Sequence, residues 1–243
     1  MTVTIMLTVL VAFAYGVQTT AGFGAGLILV STGIHFVELP TLVALLLPLS
    51  IVQTGWITAH NHHNIDRTVL FRRVLPFMGF GVILGYALAS RLAGMLVLKQ
   101  VLGGFVVLLA GRELWLLYRG TRPAVGGAVA STIAIFCAGI MHGLYTTGGP
   151  PLVYGLGREN LPRASFRATI TVVWLILNIG LVATFALDGR YTPDILQRLV
   201  VLATGLPIGI FVGERMFARV SERTFRILIY GMLAITGVPL LLG

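Results

Sequence analysis

Residues 18–26 read Gln18-Thr19-Thr20-Ala21-Gly22-Phe23-Gly24-Ala25-Gly26, and this stretch decides how the chain folds. Before it lies Val3–Thr20, an apolar segment long enough to cross a bilayer. After it lies Ala25–Phe36, which is apolar but too short to cross as a straight helix. Glycines at 22, 24 and 26 interrupt any helix running through, so the segment reads as a broken helix or re-entrant hairpin. Such irregular backbone is tolerated at membrane depth only where protein or a water-filled cavity covers it.

The arrangement returns later in the chain. Tyr145-Thr146-Thr147-Gly148-Gly149-Pro150-Pro151 follows the apolar segment Gly126–Thr146 and precedes a second short arm, Pro151–Gly157. The rest of the composition agrees with a membrane interior. Of 243 residues 57% are hydrophobic and 10% charged, with a mean hydropathy of +0.95; soluble domains have about 25% charged residues. The net charge of +9 suggests nucleic acid only until the basic residues are located. They fall between apolar segments, as cytoplasmic loops require, so no nucleic-acid partner is expected. The single cysteine, Cys137, sits in an apolar stretch and permits no internal disulfide and no thiolate metal cluster.

Eight segments have spanning length: Val3–Thr20, Pro40–Ala59, Val69–Ser90, Leu96–Tyr118, Gly126–Thr146, Phe166–Leu187, Ile195–Val212 and Thr224–Leu242. The expected fold is an all-α polytopic membrane protein with about eight transmembrane helices plus two short broken-helix or re-entrant arms. The N-terminus lacks the positive region of a secretory signal and reads as a retained first helix.

The halves match. At an offset of 128 residues Asp66 meets Asp194, Gly81 meets Gly209, Gly85 meets Gly213, Arg91 meets Arg219 and Gly103 meets Gly231. The expected organisation is one membrane domain, 1–243, made of repeat 1 over about 1–122 and repeat 2 over about 123–243. Each half holds an odd number of elements, so the second copy is inverted. One arrangement places 13 of the 17 basic residues on one side and leaves only Arg91, Lys99, Arg190 and Arg198 opposite. The richer side is then cytoplasmic and both termini are periplasmic.

Inverted repeats with paired helix breaks are a common architecture of secondary transporters, whose half-helix ends bind cargo. Helix N-termini carry unpaired N–H groups and a positive dipole end, which suits an anion. The candidate substrate-binding residues are Gln18, Thr19, Thr20, Gly22, Gly24 and Gly26 at the first break, and Tyr145, Thr146, Thr147, Gly148 and Gly149 at the second. His142, one turn before the second break, is the one deep titratable candidate, able to meet an anion or carry a coupled proton. Polar stripes at helical spacing, Ser50, Gln53 and Thr54 on one span and Thr171, Trp174 and Asn178 on another, complete the set or bond between helices. Gly81 with Gly85 and Gly209 with Gly213 read as close helix packing. No acidic residue lies deep in an expected span, so neither a metal nor a carboxylate proton relay is expected. His60, His62 and His63 read as a solvated loop beside Arg67.

With GFGAG after Gln18-Thr19-Thr20 and TTGGPP after Tyr145, followed in each half by Leu-Pro (Leu39-Pro40, Leu161-Pro162) and an amphipathic span, the chain resembles the sulfite exporter TauE/SafE family of membrane permeases. The resemblance covers essentially the whole chain. It implies a secondary transporter moving sulfite, an organosulfonate or a related oxyanion across the bacterial cytoplasmic (inner) membrane by alternating access. An anion channel, or a membrane-embedded assembly factor without transport, are the rival functions. No P-loop, HExxH motif or Ser/His/Asp set occurs, so neither an enzyme nor a cofactor is expected. The partners implied are a small anion and the lipid bilayer; coupling to a proton or sodium ion, and a homodimer, are compatible with the sequence.

Overall fold

A computed structural model describes residues 2–33, 35–92, 96–119, 128–145 and 148–242. Among them twelve α-helices follow in order: α1 (Thr2–Ala21), α2 (Ala25–Gly33), α3 (Leu39–Asn61), α4 (Arg67–Val69), α5 (Leu75–Leu92), α6 (Leu96–Tyr118), α7 (Ala128–Tyr145), α8 (Gly149–Gly157), α9 (Arg163–Leu187), α10 (Pro193–Ala203), α11 (Leu206–Arg219) and α12 (Glu222–Leu242). No strand occurs among the described residues, as the sequence led us to expect. Four helical segments there are long and apolar enough to cross a membrane: Thr4–Ala21, Leu39–Asn64, Arg67–Leu88 and Arg163–Leu187. Counting the bent pair α10 and α11 as one span makes five.

Two expected spans depart from a straight α-helix. The segment Ile195–Val212, expected to be continuous, is broken into α10 and α11 with a 41° bend. Pro207 lies in the first turn of α11. It has no N–H for the Ala203 carbonyl, and its ring would clash with that carbonyl in a straight helix. Ahead of α5, Leu70–Val74 forms a π-turn in which the Leu75 N–H donates to the Leu70 carbonyl. Pro76 follows immediately, and the widened turn relieves the bond it cannot make to Arg72.

The chain folds as two compact units, each drawing on both halves of the sequence. The first comprises residues up to Ile65 together with Arg167–Val220; the second comprises Asp66–Phe166 together with the segment from Ser221 onward. In the first unit α1, α2, α3, α10 and α11 close on a core that includes Val11, Tyr15, Leu29, Leu45, Leu49 and Leu206. Helix α1 crosses α11 at small residues. A Cβ added at Gly209 would stand 2.5 Å from the Ala12 carbonyl oxygen, and one at Gly213 would stand 2.5 Å from that of Gly16. In the second unit α5 crosses α7 in the same manner, with a Cβ at Gly81 falling 2.5 Å from the Phe136 oxygen and 3.0 Å from the Gly139 Cα. Backbones approach this closely only where side chains are absent.

The outward faces are apolar. Phe80 is 64% exposed and Ile83 70% exposed on α5, and Phe13, Val200 and Ile208 stand open on their helices. A soluble helix presents charge on such a face, whereas hydrocarbon-facing helices need the reverse.

Candidate functional site

The first break lies in the first unit. Helix α1 ends at Ala21, and the chain turns through Gly22, with φ of +87°, and Gly24, with φ of +114°, before α2 begins at Ala25. Both dihedrals lie where a Cβ is disfavoured, which is why glycine stands at each. The Gln18 side chain bridges the gap: its Oε1 accepts from the Ala25 N–H at 3.2 Å, capping α2 from the preceding helix. Gln18 Nε2 donates to Gln53 Oε1 at 3.0 Å, and Gln53 Nε2 donates to Thr19 Oγ1 at 2.9 Å. All three side chains are buried. The Thr20 hydroxyl lies 2.9 Å from the Gly16 carbonyl and 3.2 Å from that of Gly213.

Helix α9 lies against the break. Trp174 Nε1 donates to the Gly22 carbonyl at 3.0 Å, and Asn178 Nδ2 donates to Ser50 Oγ at 2.9 Å. Of the expected site residues, Gln18, Thr19, Thr20, Gly22, Gln53 and Trp174 are thus joined around one break. Asn178 joins α9 to α3 through Ser50, farther along the helix. Thr54 bonds back to the Ser50 carbonyl of its own helix at 2.6 Å, and Gly26 sits in the first turn of α2.

Arg167 was not among the expected site residues. It sits at the near end of the α9 stripe, one turn before Thr171, and is only 2% exposed. Its Nη1 donates to the Thr19 carbonyl at 3.0 Å, and its Nη2 donates to Asn61 Oδ1 at 3.2 Å and to Glu214 Oε2 at 3.3 Å. The Phe217 ring centroid lies 3.6 Å from Cζ. The usable signal was register: residues 167, 171, 174 and 178 fall on one helical face. Arg167 and Trp174 therefore meet the chain where α1 opens, at the Thr19 and Gly22 carbonyls, while Asn178 lies farther along the same face.

The second break lies in the second unit. Thr146 and Thr147 fall outside the described residues, and Tyr145 is the last residue of α7. The second arm begins at Gly149, two residues earlier than the expected Pro151. Pro150 and Pro151 sit within its first turn, where a missing N–H breaks no helical bond. The two arms therefore differ: these prolines remove two N–H donors that α2 retains. Helix α8 is buried from Gly149 to Leu156 and packs on α7. Ser131 Oγ donates to the Gly155 carbonyl at 3.0 Å, and a Cβ at Gly148 would stand 2.9 Å from that of His142. His142 is buried on α7. At the far end of α8, Glu159 pairs with Arg73 of the π-turn.

Apolar exteriors around buried polar breaks are features of polytopic membrane transport proteins. The chain belongs to the sulfite exporter TauE/SafE family, whose profile matches residues 7–240. It is similar to the "Probable sulfite/organosulfonate exporter TauE" of Cupriavidus necator, with 24% identity over 230 residues that cover 93% of this chain and 88% of the relative. No solved structure matches the chain.

Proposed function

We propose that this protein is a secondary transporter that carries sulfite, an organosulfonate or a related small oxyanion across the bacterial cytoplasmic membrane. Eight spans and two re-entrant arms form one membrane domain of two inverted repeats, and alternating access moves the repeats against each other. Both termini face the periplasm and the arginine-rich loops face the cytoplasm, as the charge distribution favours. The chain catalyses no covalent chemistry, in keeping with a permease family.

One observation carries the proposal: a buried polar network, with a buried guanidinium, surrounds the glycine break between α1 and α2. Desolvating so many polar groups is costly in a membrane bundle and marks a transport pathway more often than a structural element. Gln18, Thr19, Thr20, Gly22, Gly24, Gly26, Gln53, Thr54, Trp174 and Asn178 contribute from this side. His142, Tyr145, Thr146, Thr147, Gly148 and Gly149 form the counterpart at the second break. The relative's name supports sulfite and organosulfonates as cargo.

The helix crossings support the duplication. Gly81 and Gly85 on α5 meet α7, while Gly209 and Gly213 on α11 meet α1. Those glycines are the pairs aligned at an offset of 128, and α1 and α7 open their respective halves. A thermal-shift screen of the purified protein tests cargo class directly. Sulfite or a sulfonate at 100 times its Kd should add about 2.7 kcal/mol to folded stability. Stabilisation by small carboxylates but by neither sulfite nor sulfonates would exclude the proposed cargo.

A further inference from the structure

We infer, building on the anion-transport reading above, that Arg167 binds the cargo and that Glu214 occupies its guanidinium as an internal surrogate until a small three-oxygen anion displaces it. Burying an arginine in a membrane bundle is costly, and a well-packed apolar residue would serve stability as well or better. Neutral groups hold this one in place. The Thr19 carbonyl, Asn61 Oδ1 and the Phe217 ring all contact the guanidinium.

Glu214 is a different kind of partner. Its Oε2 accepts from Nη2 at 3.3 Å, whereas Oε1, 3.2 Å from Nη1, is buried and makes no hydrogen bond, and the side chain as a whole is 35% exposed. Tight charge-assisted bonds run about 2.7–2.9 Å. The cation is therefore dry, while its carboxylate partner is part-exposed and engages the fork through one hydrogen bond, with Oε1 left unsatisfied. An oxyanion that offers two oxygens to the same planar fork replaces the carboxylate without moving the arginine.

A second polar group lies one turn beyond Arg167 on the same face of α9. The Thr171 hydroxyl is buried, with 1% exposure of the residue, and has no hydrogen-bond partner among the described residues. It lies on the α9 face between Arg167, which bonds the Thr19 carbonyl, and Trp174, which bonds that of Gly22. A buried unsatisfied hydroxyl is destabilising, a deficit that a bound ligand removes. Sulfite and sulfonate headgroups carry three oxygens and a carboxylate carries two. Thr171 thus selects for the former, and the carboxylate of Glu214 is an incomplete occupant that cargo can outcompete.

The test measures affinities of the purified full-length protein for sulfite, methanesulfonate and acetate by calorimetry, with folded yield recorded for each variant. Arg167→Gln should lose about 10- to 100-fold in affinity for all three anions. Glu214→Gln should instead gain at least about fivefold, because the competing charge is gone. Thr171→Val should lower affinity for sulfite and methanesulfonate by about tenfold and leave acetate unchanged. A merely structural ion pair would weaken binding, or leave it unaffected, in both charge variants. Folded Glu214→Gln protein that binds sulfite no more tightly than the parent overturns the inference, including when Arg167→Gln fails to fold. Parent protein that binds none of the three anions would instead sink the transport reading beneath it.

Discussion

At Gly22 the chain leaves α1 with a left-handed backbone and passes close under α9. A Cβ there would stand 2.5 Å from Ile170 Cγ2, in addition to the cost of about 1–2 kcal/mol for holding an L-residue in that conformation. Gly189, beyond the end of α9, also has a positive φ, of +69°, but its Cβ would meet nothing within 4 Å. Gly189→Ala is accordingly expected to cost about 1–2 kcal/mol, and Gly22→Ala about 2–4 kcal/mol because overpacking adds to the backbone cost. Thermal unfolding in detergent compares them; equal losses would mean that the close approach to Ile170 carries no energy. Glycine and polar spacing made most of the first break legible, since Gln18, Thr19, Thr20, Gln53 and Trp174 do converge there. Arg167 was legible only through its register with Thr171, Trp174 and Asn178; an arginine at the start of an apolar segment otherwise reads as a flanking positive charge, and contacts made by α11 and the end of α3 show that it turns inward.

Helices in this protein are distinguished less by propensity than by what their small and proline residues permit. The α5 helix carries glycines at 79, 81 and 85, which intrinsic propensity treats alike. A Cβ at Gly79 meets nothing within 4 Å, whereas one at Gly81 would strike the backbone of α7, 2.5 Å from the Phe136 oxygen. Gly79→Ala should therefore leave stability unchanged or raise it by up to about 1 kcal/mol. Gly81→Ala should lower it by about 1–3 kcal/mol, since neither backbone can yield without moving its helix. Chemical denaturation of the two variants side by side decides the point. Should Gly81→Ala match Gly79→Ala, the α5 crossing is looser than drawn here. Span length and glycine clusters marked both arms, but element ends followed prolines. Pro150 and Pro151 start α8 earlier than expected, Pro207 splits the segment expected over Ile195–Val212, and Pro76 follows a π-turn. Proline was visible in each case; its effect depends on which carbonyl the neighbouring helices leave room to turn aside.

For the molecule as a whole, an all-helical chain with an apolar exterior and buried polar breaks fits the family to which it belongs. Net positive charge would suggest a polyanion partner for a soluble protein; in the proposed topology 13 of the 17 basic residues fall on one side, the bias that would orient the chain in a bilayer. The proposed duplication was visible in the sequence only as residues aligned at an offset of 128, among which Gly81 with Gly85 and Gly209 with Gly213 stand at close helix crossings. Transport itself is tested most directly in proteoliposomes containing the purified protein and loaded with unlabelled sulfite. Labelled sulfite added outside should accumulate transiently and saturably against the internal pool, and methanesulfonate should compete for entry. Folded, membrane-inserted protein that moves neither anion faster than protein-free liposomes would contradict the transporter assignment, and non-saturable flux without counterflow would identify a channel in its place.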